Sequence, residues 1–233
     1  MKNNETFLKM ALDIIRATCV NFQRRSVAKG TSTSTICRNS LEGKKMRTEI
    51  APKRFKQDND KLKELIIYIA EKSVDDMYFE ATKLNKILFF CDMLYYGMYG
   101  KPITGADYFA IDEGPAPRQM VPIMMEMEKR DKTVRVITRQ FFNHEQNRVI
   151  PLRDSDPSKF SGQEIAFIDS IIDRLKDKSA GDLVKISHKY PAYKLTPRRD
   201  SIPYELIFIS QDPPSPEDHA RGLELAKKYG WKI

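Results

Sequence analysis

Between Leu84 and Met98 the chain carries one long helical stripe. Leu84, Ile87, Leu88, Cys91, Leu94, Tyr95 and Met98 recur at three- and four-residue steps. Aromatic side chains crowd the same segment, at Phe89-Phe90, Tyr95-Tyr96 and Tyr99. Phe90, Tyr96 and Tyr99 fall off the main stripe, so this helix must be covered on more than one side. Two arrangements satisfy that demand: a central helix inside one domain, or a helix with one face in a partner groove. The spacing leaves both open. Gly97 and Gly100 weaken the end of the helix, and Lys101-Pro102 stops it. Cys91 falls on the apolar stripe and reads as a small core residue, not a nucleophile.

The flanking pattern is also mainly helical. Leu62, Leu65, Ile66 and Ile69 form a shorter stripe. Tyr108 to Ile111 reads as a short extended segment, and Asp112-Glu113-Gly114-Pro115 as a turn. A helix carrying Val121, Met124 and Met127 follows, with Pro122 in its first turn or ahead of its start. Thr133 to Thr138 alternates like a strand, and Asn147 to Leu152 is its expected hairpin partner, joined through Asn143-His144-Glu145-Gln146. Ser161-Gly162-Gln163-Glu164 is a capping-box sequence before Ile165, Ile168, Ile172 and Leu175. Ser179 caps a short helix with Leu183, Val184 and Ile186, which His188 to Pro191 ends. Ser215-Pro216-Glu217-Asp218 opens a last helix that Gly230 stops. Strands do not alternate with helices, which argues against a parallel βαβ architecture. The expected fold class is α+β and mainly α-helical: a compact helical domain with a small β-hairpin inserted midway.

Charge divides the chain. Of its 233 residues, 40 are Lys or Arg and 32 Asp or Glu, a net of +8. Residues 1–60 hold 13 basic and 6 acidic residues, a net of +7, which leaves +1 for residues 61–233. A folded nucleic-acid binder carries its basic excess in the domain itself, and this domain is nearly neutral. The expected organisation is a basic N-terminal extension over 1–60, partly helical or disordered, a domain over 61–210, and a C-terminal helix over 211–233. Within the extension, Leu8, Leu12, Ile15, Cys19 and Phe22 have helical spacing, whereas Ser26 to Lys45 reads as a polar linker. The Arg- and Ser-rich, acid-poor composition there also resembles a transit peptide. Met46 leaves room for residues 1–45 to be an upstream extension without a role. The 3 cysteines are too few and scattered for a disulfide framework, and no apolar run reaches membrane-spanning length. A cytoplasmic protein without membrane association is expected.

Catalytic patterns are sparse. The 3 histidines, His144, His188 and His219, lie far apart and lack neighbours at zinc-ligand spacing. No Gly-rich phosphate loop and no nucleophile elbow occurs. Asp75-Asp76 and Asp112-Glu113 are adjacent pairs, which serve helix starts and turns more often than acid–base dyads. An enzyme would have to use His188 with a carboxylate such as Asp182 or Glu205, yet His188 reads more simply as a helix-terminal residue. No enzyme activity, cofactor, metal or small-molecule substrate is expected.

The run Lys83-Leu84-Asn85-Lys86-Ile87-Leu88-Phe89-Phe90 resembles the opening helix of the Panacea domain, the SocA-like antitoxin family, which also occurs in phage-associated prokaryotic proteins. Further motifs follow in the family's order. They are Gly100-Lys101-Pro102-Ile103, Tyr108, Gly114-Pro115, then Ser161, Glu164, Ile168 and Asp169. Ser179, Ala180, Leu183, Ser187, His188, Pro191 and Tyr193 complete the series. The likeness spans about residues 61–200. The chain departs from the family at the turn before Gly114, where an aromatic is frequent, and at Tyr193, where tryptophan is common.

The resemblance implies a helical domain with a small β element, no enzyme activity, and neutralisation of a cognate toxin encoded by a neighbouring gene, through direct protein–protein binding. The motif positions together with the aromatic cluster nominate Lys83, Lys86, Phe90, Tyr96, Tyr99, Tyr108, His188 and Tyr193 as partner-binding residues. The alternative is a transcriptional autorepressor that binds promoter DNA through the basic N-terminal segment.

Overall fold

The computed structural model describes residues 55–209 and 215–230. The expectations for residues 1–54, including the amphipathic segment and the polar linker, lie outside the described residues. The domain already holds Phe55, whose ring meets Tyr96 and Tyr204 edge-on, each with centroids 5.4 Å apart.

Helix α1 spans Asn59–Lys72, and the Asp58 carboxylate accepts the Lys61 amide at its start. Helix α2 spans Ala81–Tyr99. Its residues from Leu84 to Gly97 are buried apart from Asn85, which is partly so. Between the two readings of its aromatic faces, the structure decides for the central helix: α2 touches α1 and five later elements. Gly100 closes it at φ +72°, and its amide donates to Tyr96 O.

A first antiparallel hairpin follows, β1 (Tyr108–Ile111) with β2 (Gly114–Pro117). The sequence predicted an extended β1 and a turn but no β2, because Pro115 and Pro117 lack the amides of a regular strand. The domain therefore contains two hairpins where one was expected. Phe109 also bridges to Ser201, which ties a late segment of the chain to this hairpin.

Helix α3 (Met120–Met125) is a single turn and a half and runs into a π-helical turn over Glu126–Arg130. The second hairpin is β3 (Val134–Phe141) with β4 (His144–Pro151). Its loop is only Phe142-Asn143, since Phe141 pairs with His144. Of the polar run expected to form the connection, Asn143 does so, and His144-Glu145-Gln146 continue the strand. Cross-strand bonds such as Arg139 Nε to Gln146 Oε1 at 2.7 Å hold it there.

Helices α4 (Gly162–Leu175) and α5 (Ala180–Lys189) each begin with a complete capping box, Ser161 with Glu164 and Ser179 with Asp182. A short helix α6 (Pro191–Lys194), a 3-10 turn over Tyr204–Phe208 and helix α7 (Pro216–Tyr229) complete the described chain. Gly230 ends α7 at φ +67°, as its position predicted. The result is a mainly helical α+β fold, and one apolar cluster joins α1, α2, both hairpins and helices α4 to α6. Among the described residues no helix is long and apolar enough to cross a membrane.

Candidate functional site

The motif residues of α2 carry charge into the core, and the fold answers each charge locally. Lys83 is 0% exposed. Its Nζ donates to Lys176 O and Lys178 O, both at 2.7 Å, and pairs with Asp76 Oδ2 at 2.6 Å. Three acceptors match the three protons of the ammonium. Burial still lowers its pKa, with Asp76 opposing. Lys83 thus staples the start of α2 to the α1–α2 loop and to the end of α4.

Lys86, one turn later and also 0% exposed, has a sparser setting. Its Nζ donates to Pro115 O at 3.0 Å, beneath the β1–β2 turn. Burial pushes its pKa down to about 7, and the Glu113 carboxylate opposes that shift. Gly114 sits over it at φ +86°, and a Cβ there would crowd Ser187 Oγ and lie 2.9 Å from Lys86 Cε. The Gly114-Pro115 motif is therefore a backbone approach that only glycine permits. It brings the β1–β2 turn onto Lys86 of α2 and Ser187 of α5.

Tyr193 meets the same hairpin, with His188 stacked on its ring. Their rings stack with centroids 4.5 Å apart and planes 7° apart, and Tyr193 OH donates to Ile111 O at 2.8 Å. His188 Nε2 is buried and makes no hydrogen bond within the protein. Asp182 accepts from Ser179 at the start of α5, so its carboxylate is already engaged in helix capping.

A third buried group lies further along α2. Asp92 Oδ1 accepts from Thr104 N at 2.7 Å, and Asp92 Oδ2 accepts from Tyr108 OH at 2.8 Å and from Thr104 Oγ1. Burial raises the Asp92 pKa, and these hydrogen bonds work against it. Tyr108 is the pivot: it bonds α2 through its hydroxyl and packs on Phe89 with centroids 5.4 Å apart. Phe90 packs on Tyr190, centroids 6.0 Å apart.

The eight nominated residues divide by exposure. Lys83, Lys86, Phe90 and Tyr108 are at most 1% exposed, so they brace the fold and offer no face to a partner. The reason is that an ammonium or hydroxyl can enter the core wherever the chain supplies its acceptors. Tyr96 is almost as deep, within a cluster of Phe55, Tyr204 and Phe208. His188 and Tyr193 are half-buried, and Tyr99 is 40% exposed on top of Tyr95. Lys86, His188 and Tyr193 do converge on the β1–β2 hairpin, whereas Tyr96 and Tyr99 lie toward the far end of α2.

The motif reading missed Arg148. It donates to Asp76 O at 2.7 Å, Ser73 O at 2.9 Å and Val74 O, and fixes the α1–α2 loop against β4. The alternation of β4 marks its face but not this long reach. Asp92 was also missed, although a carboxylate within the apolar run of α2 was a visible sign.

A polar cleft of about 360 Å³ lies between α1, the π-helical turn and the segment after β4. Its charges largely pair among themselves: Lys63 with Asp131 at 2.8 Å and with Glu126 at 3.1 Å, and Arg153 with Glu64. Burial would raise the Glu64 pKa, but the Arg153 guanidinium and the Asp156 amide bring it below its ordinary value. Among the described residues no group of three or more His, Cys, Asp or Glu is placed to hold a metal ion.

The fold and these motif sites define an α+β domain wrapped around a buried, charge-bearing helix. Residues 84–193 match the family described as antitoxin SocA-like, Panacea domain. The match runs from the first turn of α2 to α6, a shorter span than the motif series suggested, and α1 packs into the same core from outside it. No curated protein and no solved structure matches the chain.

Proposed function

We propose that this chain is the antitoxin of a toxin–antitoxin pair and neutralises its cognate toxin by direct protein–protein binding in the cytoplasm. The observation that carries this reading is the match of residues 84–193 to an antitoxin family. The engagement of the buried charged groups supports binding over catalysis. Lys83 and Asp92 spend their charges on core hydrogen bonds, and Asp182 caps a helix. Co-expression with the product of the neighbouring gene is expected to yield a stable complex and to restore growth. Failure of both would overturn the proposal. Retention of neutralisation by a folded His188→Ala variant would exclude an enzymatic role for His188.

A second reading is favoured by the charge split, +7 in residues 1–60 against +8 for the chain. The basic segment would bind promoter DNA and repress transcription. Binding would then weaken steeply with added salt and vanish when residues 1–60 are removed. Equal affinity without that segment would exclude it.

A further inference from the structure

The chain enters its domain beside the far end of α2. Phe55 packs on Tyr96 and on Tyr204. The Asp58 amide donates to Thr104 O at 2.9 Å, and the Asp107 amide donates to Gln57 Oε1 at 3.3 Å. Residues 55–58 are thus fixed along the loop that follows α2. Residues 1–54 join the domain at this point.

An apolar surface lies open at the same place. Phe208 packs on Tyr96, centroids 5.7 Å apart, yet 43% of it is exposed, and Ile209 beside it is 40% exposed. Tyr99 stands three positions after Tyr96, the spacing at which side chains are neighbours on a helix, and is open to the same degree. These exposures hold with α7 in place, so α7 leaves the surface uncovered. Large apolar side chains grouped in this way mark a docking surface.

The length and pattern of the chain that arrives there specify the occupant. Leu8, Leu12, Ile15, Cys19 and Phe22 have helical spacing. Such a stripe is marginal in water alone and needs an apolar surface to bury it. Residues 23–54 separate the stripe from Phe55. A polar linker of that length spans about 30 Å on average, enough to bring the stripe back to the entry point. The tether sets an effective concentration on the order of a millimolar, above that of any second copy in dilute solution.

We propose that the surface formed by Tyr99, Phe208 and Ile209 is the docking site of the chain's own Leu8–Phe22 segment, whose apolar stripe covers it in the full-length protein. This docking holds the basic extension against the domain. It does not depend on the toxin-binding reading.

The test uses the full chain. Ile209→Cys places a thiol on the surface, and Cys37→Ser leaves Cys19 as its reaction partner, since Cys91 is buried. Under a mild oxidant the intramolecular cross-link to Cys19 should form at least about 10-fold faster than with Leu152→Cys, an exposed site after β4. In the wild type, amides from Leu12 to Cys19 should exchange at least about 10-fold more slowly than in an unstructured chain. The double variant Leu12→Asp, Ile15→Asp changes only the docked segment, so the core amides of α2 should stay protected. Both signals should vanish in it, and Ile209→Asp should likewise remove the protection of Leu12 to Cys19. Free exchange of these amides in the wild type, or a cross-link no faster than the control, would overturn the proposal. So would signals that survive the double variant. Cross-linked dimers, or protection lost on dilution, would make a second copy the occupant and also overturn it.

Discussion

Lys86 sets the most specific expectation at the scale of single residues. An unfolded lysine keeps its proton to a pH near 10.5, whereas burial brings Lys86 down to about 7. Between these values the unfolded chain binds one proton more than the native chain through this residue. Stability should therefore rise with pH from about 7 to about 10 through the Lys86 contribution. Lys86→Met removes the contribution, so the thermal midpoint of the variant should rise less over that window. An unchanged slope would show that Lys86 keeps its proton in the native state across this window. Gly114→Ala tests the contact above it. The added methyl meets Ser187 Oγ and Lys86 Cε at a φ of +86°, and should cost about 2 kcal/mol or more in urea unfolding. The spacing of Lys83 and Lys86 on one helix was readable in the sequence. Their burial was not, because the acceptors are backbone carbonyls at Pro115, Lys176 and Lys178.

Among the elements, helix starts were the most legible. Both capping boxes involve only four consecutive residues, so their physics is local. Ser161→Ala is expected to lower stability by about 1 kcal/mol, read from the denaturant midpoint. The strands were less legible. β2 carries two prolines and forms because Tyr108 and Phe109 lie opposite it, a tertiary circumstance. β4 extends to His144 for a similar reason, since Arg139 and Gln146 share Met77 O as an acceptor. The hairpin's hold on the α1–α2 loop passes through Arg148. Arg148→Met keeps the stem but leaves the carbonyls of Ser73, Val74 and Asp76 without this donor. A loss of about 3 kcal/mol is expected, with β4 amides exchanging faster.

Across the whole molecule, α2 organises everything else. It contacts α1, β2, β4, α4, α5 and the 3-10 turn at Tyr204–Phe208, so opening it requires unfolding the core. Hydrogen exchange should be slowest for the amides from Phe89 to Leu94 and should approach the global unfolding free energy there. The match to the Panacea family begins at Leu84, yet Leu62, Leu65, Ile66 and Ile69 of α1 are fully buried in the same cluster. Leu65→Ala should consequently destabilise the entire domain, by about 3 kcal/mol, in a single transition. Separate melting of α1 would contradict one shared core. The charge split acts at this scale as well, because the domain from residue 61 is nearly neutral while residues 1–60 carry +7.

By itself the sequence determined the helical stripes, the Ser161–Glu164 capping box, the Ser179 cap, the Gly230 stop, the charge partition and the ordered motifs of an antitoxin family. Each depends on residues within one or two turns of chain, or on composition. Tertiary structure alone decided that α2 is enclosed, that its lysines end on distant carbonyls, and that two prolines lie in a strand. Those outcomes depend on partners far along the chain, as with Lys83 and Lys178, 95 residues apart, and local spacing carries no record of which distant group will supply an acceptor.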